Sequence, residues 1–144
     1  MIFLTQRLIM KASVSKFQYI QMLKEMLIAG AGGFIGTCGR YLAGRLCALT
    51  PVASFPLSTL TVNVLGCFLI GLLFGTAERT GILTHGHILF LATGFCGGFT
   101  TYSAFADDIW VLCAKGEVIM SVFYLILTIV AGIGAVWLGR FLAN

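Results

Sequence analysis

Charge is what this chain of 144 residues has least of. Asp, Glu, Lys and Arg make up 10% of it, against 59% for the apolar types. A soluble domain carries about 25% charged residues, so the composition excludes one and points to an integral membrane protein of one domain. The mean hydropathy of +1.02 agrees. A net charge of +4 is small, and several of the cations fall in the N-terminal tail, which excludes a nucleic-acid surface. Five cysteines (Cys38, Cys47, Cys67, Cys96, Cys113) show no CxxC spacing and mostly sit in apolar stretches. They read as small buried hydrophobes rather than a disulfide framework or metal site. There is no GxSxG, HExxH or glycine-lysine phosphate loop. His85 and His87 share a loop, which argues against bis-histidine haem ligation in the bilayer. No acid lies mid-helix, which weakens a proton-coupled exchanger.

What remains is hydrophobic length. A bilayer core takes about 20 apolar residues per helix. Four stretches qualify: about Met26–Leu49, Leu57–Ala77, Gly86–Cys113 and Val118–Phe141. Pro51 and Pro56 bracket the first loop, where proline ends one helix and opens the next. The expected fold is an all-α membrane protein of four transmembrane helices over residues 23–144, preceded by a tail over residues 1–22. The tail is too poorly flanked for a secretory signal. It reads as an interfacial amphipathic segment or as sequence ahead of an alternative start at Met22 or Met26.

The third stretch is unusual. Gly94 to Phe105 (GFCGGFTTYSAF) packs in three glycines and consecutive hydroxyl or phenol side chains. Glycine and threonine are poor helix formers, so an interrupted helix is expected. Broken backbone at membrane depth is tolerated only where protein buries it or it lines a wet cavity. Gly86 to Gly97 spans about 16 Å of helix at 1.5 Å per residue, which puts the break near the midplane. Lys24, Arg79 and Arg140 lie on the side of the termini, with Arg45 and Lys115 opposite. Leaving out the tail, that is almost no orientation bias, so the chain can insert both ways and an antiparallel homodimer becomes attractive. In such a dimer the two breaks meet on the in-plane axis, and their carbonyls suit a structural monovalent cation. The alternative is a glycine-kinked helix whose neighbours satisfy the backbone.

Other residues carry paired readings. Gly30-Ala31-Gly32-Gly33-Phe34-Ile35-Gly36 looks like a dinucleotide loop but lacks its strand and its acid, and reads as close helix packing. Arg40, inside the first span, falls toward the same face as Asp107 and Asp108. It forms a salt-bridged vestibule or snorkels to the interface. Asn63 offers two amide donors to an anion or to a neighbouring helix. Tyr102 and Phe105 share a helix face and either solvate an anion with their electropositive edges or simply pack. Ser121, Tyr124 and Thr128 form a polar track or bond to backbone.

Three segments together resemble the small bacterial fluoride channels of the Fluc family, also called CrcB. They are Gly32–Tyr41 (GGFIGTCGRY), Thr59–Gly66 (TLTVNVLG) and Gly94–Phe105. The resemblance covers about Met22 to Asn144 and implies a passive, non-enzymatic fluoride channel of the bacterial inner membrane. It also implies a dual-topology homodimer with two pores and a central sodium ion. Carbonyls of Gly97 and Thr100 would bind the sodium. Asn63, Thr101, Tyr102, Ser103, Phe105, Tyr124 and Thr128 would belong to the fluoride path, which exports fluoride and confers resistance to it. Two departures stand out: Tyr102 replaces the family's usual Phe, and Gly132 stands where the family has a hydroxyl. The competing reading, a small dual-topology multidrug exporter, needs an acid within the first span, and Met26–Leu49 has none.

Overall fold

The computed structural model describes residues 2–49 and 55–143, with side chains described from residue 16 onward. Every regular element among them is helical. Helix α1 runs Ile2–Cys47 and α2 runs Leu57–Thr80. A short α3, His85–Ile88, passes into a π-helix, Leu89–Cys96, and then into α4, Gly97–Phe99. After an extended step at Thr100 and Thr101, α5 spans Tyr102–Ala114 and α6 spans Val118–Ala143. Among the described residues, three lengths are apolar and long enough to cross a membrane: Leu57–Thr80, His85–Ala114 and Val118–Ala143. With α1 as a fourth helix they fit the expected multi-pass arrangement.

One helix boundary differs from the sequence reading. Helix α1 begins at Ile2, so the tail continues the first helix. The reason is local: neither Gly nor Pro occurs before Gly30, and nothing breaks the helix sooner. Pro51 lies outside the described residues, while Pro56 opens α2 as expected, its carbonyl accepting from Leu60 N at 3.2 Å. At the other end of α2, Gly81 adopts φ 62°, the left-handed cap that glycine takes without strain. Thr84 and His87 then form a reciprocal capping box that starts α3.

The helices pair in two sets. Helix α1 lies against the π-helix and α4, whereas α2 lies against α6. Both seams are made by glycine. A Cβ added to Gly32 or Gly36 would run into the carbonyls of Phe90 and Phe95. Facing them, a Cβ on Gly94 would sit 2.6 Å from Ala29 O, and one on Gly98 2.5 Å from Gly33 O. The run that mimics a nucleotide loop is therefore a small-residue seam, Gly32-x₃-Gly36 meeting Gly94-x₃-Gly98. Gly71 and Gly139 make the second seam, where added Cβ atoms would strike the carbonyls of Val136 and Phe68. At the same end of the molecule Arg140 grips Glu78 through two 2.9 Å bonds, and Arg79 donates to Ala143 O at 3.3 Å.

Glycine in a helix interior ordinarily costs about 0.5–1 kcal/mol relative to alanine, and the seams reverse that sign. Gly36→Ala is expected to lower stability by about 1–3 kcal/mol through overpacking. Gly134→Ala, at a position with nothing within 4 Å, is expected to leave it unchanged or slightly raise it. Thermal unfolding of the two variants in detergent checks the contrast.

Candidate functional site

The break in the third helix is organised by threonine, not by glycine. Gly97 keeps right-handed helical angles, φ −62° and ψ −36°. The chain leaves the helix at Thr100 (φ −81°, ψ 161°) and Thr101 (φ −149°, ψ 117°). β-Branched side chains favour this extended backbone. Thr100 closes the first half: its N–H and its hydroxyl both donate to Cys96 O at 2.9 Å. Thr101 opens the second half as the N-cap of α5, its Oγ1 accepting from Ala104 N at 3.2 Å. Ser103 joins this cap, its hydroxyl 3.3 Å from that of Thr101.

Thr101, 8% exposed, needs partners for its own peptide groups, and α2 supplies both. Asn63 Oδ1 accepts from Thr101 N at 2.8 Å, and Asn63 Nδ2 donates to Thr101 O at 3.1 Å. One side chain thus replaces two lost helical bonds. Three residues on, Gly66 leaves room for the Thr100 methyl, which an added Cβ would strike. Asn63 and Gly66 share a face of α2 and together seat the break.

This arrangement leaves two carbonyls without their usual donors. In an unbroken helix Thr101 N–H would close on Gly97 O, and Ala104 N–H on Thr100 O. The first goes to Asn63 and the second to the Thr101 hydroxyl. The oxygens of Gly97 and Thr100 are thereby free to accept from, or coordinate, something else. Oxygen donors of this kind suit a hard cation.

Beside the break lies an open groove of about 680 Å³. It brings together Asn63, Gly97, Thr100, Thr101, Tyr102, Phe105 and Thr128 against an aliphatic wall from α2 and α6. Tyr102 is 82% exposed, with its ring centroid 6.1 Å from that of Phe105. Phe105 is buried and leans on Tyr124 at 5.5 Å. Thr128 Oγ1 is buried and meets the geometry of no hydrogen bond, although it lies beside the Tyr124 phenol.

Several expected site residues fall elsewhere. Tyr124 is fully buried behind Phe105, off the groove wall, and donates to Asp108 Oδ2 at 3.2 Å. Ser121 turns to backbone, donating to Ile109 O at 3.3 Å. Asp107 is exposed, and half-buried Arg40 makes no ion pair with either aspartate among the described residues. The Asn63–Thr101 pairing was invisible in the sequence, because 38 residues separate its partners. Its only signal was an amide placed where hydrocarbon offers no partner.

Fold and site define a multi-pass helical membrane protein whose third helix opens onto a sparsely polar groove. Residues 27–140 match the family model described as CrcB-like protein, Camphor Resistance (CrcB), and the chain belongs to that family. A relative from Prosthecochloris aestuarii (strain DSM 271 / SK 413), named fluoride-specific ion channel FluC, is 45% identical over 125 residues. That match covers 86% of this chain and 96% of the relative. A protein of the same name from Azobacteroides pseudotrichonymphae genomovar. CFP2 is 40% identical over 85% of this chain and 98% of its own. Fluoride-specific ion channel FluC 2 of Rhodococcus jostii (strain RHA1) is 41% identical over 79% and 94%. All three carry names of channels, not of enzymes.

Asn63→Leu removes both partners of the Thr101 peptide groups at once. Each unsatisfied buried group costs about 1–3 kcal/mol, so a loss of roughly 2–5 kcal/mol is expected. Faster amide exchange at Thr101, together with a lower unfolding temperature, is the measurement. Unchanged protection there would show that the break stands without Asn63.

Proposed function

We propose that this chain is a passive fluoride channel of the bacterial inner membrane, working as an antiparallel homodimer around a central sodium ion. The observation that carries the fluoride path is a groove in which Asn63, Tyr102, Phe105 and Thr128 come together against an aliphatic wall. Asn63 gives one amide N–H to Thr101 and keeps the other, and the Thr128 hydroxyl lies just behind the groove surface beside the Tyr124 phenol. The names of the family relatives support fluoride as the ion.

Fluoride is small and holds its water tightly, so a dry path must replace that water with donors. The spare Asn63 N–H, the Thr128 hydroxyl and the electropositive ring edges of Tyr102 and Phe105 supply them at successive points. Thr101 and Ser103 shape the start of α5 rather than meeting the ion first, and Tyr124 backs Phe105 while holding Asp108. A larger halide fits this aliphatic wall poorly. Because each contact is single, the ion binds weakly enough to leave, as conduction requires. In the cell, fluoride that entered as the neutral acid and dissociated would leave by this route.

Openness of the groove supports a second copy as its lid. The two-fold axis of an antiparallel pair would bring two copies of Gly97 O and Thr100 O together. Four oxygens without helical donors would then hold a sodium ion, whose charge would relieve them at membrane depth. The near-balance of Lys and Arg between the two ends of the four-helix core is what allows both orientations.

Phe105→Ile and Thr128→Val are each expected to slow fluoride efflux from proteoliposomes about tenfold or more, equivalent to about 1.4 kcal/mol at the barrier. A fluoride electrode reads this directly, and wild-type rates in both would remove the groove from the path. Replacing all sodium with N-methylglucamine during purification and assay is expected to abolish efflux. Restoration by added sodium, but not by choline, checks the central ion.

A further inference from the structure

The first half of α1 has no part in the reading above. Residues 1–24 hold four cations, Arg7, Lys11, Lys16 and Lys24, and no acid, whereas residues 25–144 hold five of each sign. The whole net charge of +4 therefore belongs to this segment. The family match begins at residue 27, so the segment also lies outside it. Helix α1 has 46 residues and is about 69 Å long, against about 30 Å for a hydrocarbon core. Its Gly32–Gly36 seam packs on the residues just before the Thr100 break. With the break near the midplane, about ten residues carry α1 from the seam to the edge of the core, at about Lys24. Headgroups add about 5–8 Å on each side, so Ile20–Lys24 would lie among them and Lys16–Tyr19 at their outer rim.

The two sides of α1 differ at this level. On one side Gln21 donates to Glu25 Oε1 at 3.3 Å, and that oxygen lies 3.6 Å from His85 Nε2 at the start of α3. That polar side turns toward the protein itself. Lys16, Phe17, Ile20 and Lys24 fall on the other side, at helical spacing with Leu27 and Phe34 farther down. All six are exposed, and neither lysine makes an ion pair among the described residues. A lipid-facing apolar stripe thus continues past the edge of the core and gains two ammonium groups there.

We propose that this stripe binds the headgroups of anionic phospholipids. Each ammonium lacks a counter-charge within the chain, and a lipid phosphate supplies it. The lysine stems lie along the apolar stripe while their heads stay among the phosphates. Phe17 and Ile20 are then covered at the headgroup boundary instead of facing water. Lys11 stands about 20 Å above Lys24 and Arg7 farther still, beyond a Debye length of about 8–10 Å, so neither holds a headgroup directly.

The test is native mass spectrometry of the full chain, purified in detergent and titrated with phosphatidylglycerol or phosphatidylcholine. The first phosphatidylglycerol is expected to bind at least about tenfold more tightly than phosphatidylcholine. Lys16→Gln combined with Lys24→Gln is expected to bring the two lipids within about threefold of each other, and the matching pair of Lys→Arg changes to keep the preference. A preference that survives the paired glutamines overturns the proposal. So does an equal loss on Arg7→Gln with Lys11→Gln, which would mean diffuse attraction by net charge and no site. Size-exclusion elution and circular dichroism confirm that each variant is folded. The proposal needs only that the chain spans a membrane, and no readout involves fluoride, so its outcome is separate from the fate of the channel reading.

Discussion

The amide of Asn63 closing on both peptide groups of Thr101 is the contact on which the rest of the site depends. Helices cross a membrane because each peptide group finds its partner four residues away. A break abandons that supply, and the chain can afford one only where a side chain from another helix makes up the deficit. Asn63 does so with a single residue, one oxygen accepting and one nitrogen donating. Its position fixes where α2 must stand relative to the third helix. The aliphatic wall of the groove then follows, because α6 is locked to α2 through Gly71 and Gly139.

Satisfying Thr101 moves the deficit rather than erasing it. The N–H that Asn63 captures is the one Gly97 O would have received, and the Thr101 hydroxyl diverts the donor of Thr100 O. Both oxygens belong to the segment whose carbonyls were expected to converge at a cation. Thr128 adds a buried hydroxyl beside the Tyr124 phenol on the opposite wall. Acceptors without helical donors lie at the break, and the proposed ion path runs along the other side of the groove. On that proposal a cation and an anion would have separate places in one small protein.

Much of this was legible from composition and residue type. Low charge and apolar length gave the helical membrane class, and the Gly94–Phe105 segment marked the broken helix. The break was located to within a few residues, and of the two residue types expected to make it, threonine does so. Gly94 and Gly98 serve close packing against α1, and Thr100 and Thr101 turn the chain. Residue type alone cannot separate these roles, since a glycine that admits a neighbour looks like a glycine that bends. Tyr124 shows the same limit. Helical spacing put it on a polar face with Thr128, yet its ring is covered by Phe105 and Phe55. Arg40 was readable as a costly charge, and among the described residues it makes no ion pair with Asp107 or Asp108. Helix α1 runs on through the N-terminal tail because that stretch contains nothing that stops a helix.

The two glycine seams also set a timetable for biosynthesis. Gly32 meets a partner near Gly94, and Gly71 meets one at Gly139, so each seam joins residues more than 60 positions apart. At about 5–20 residues per second of synthesis, each seam waits roughly 3–14 s for its other half to emerge. During that interval α1 and α2 stand in the lipid with backbone exposed along a glycine stripe and little contact between them. Asn63 is likewise unmatched until Thr101 arrives. The last helix to be made is thus the one that completes the bundle, and a chain halted before α6 would present to quality-control proteases a membrane protein with one of its two seams open.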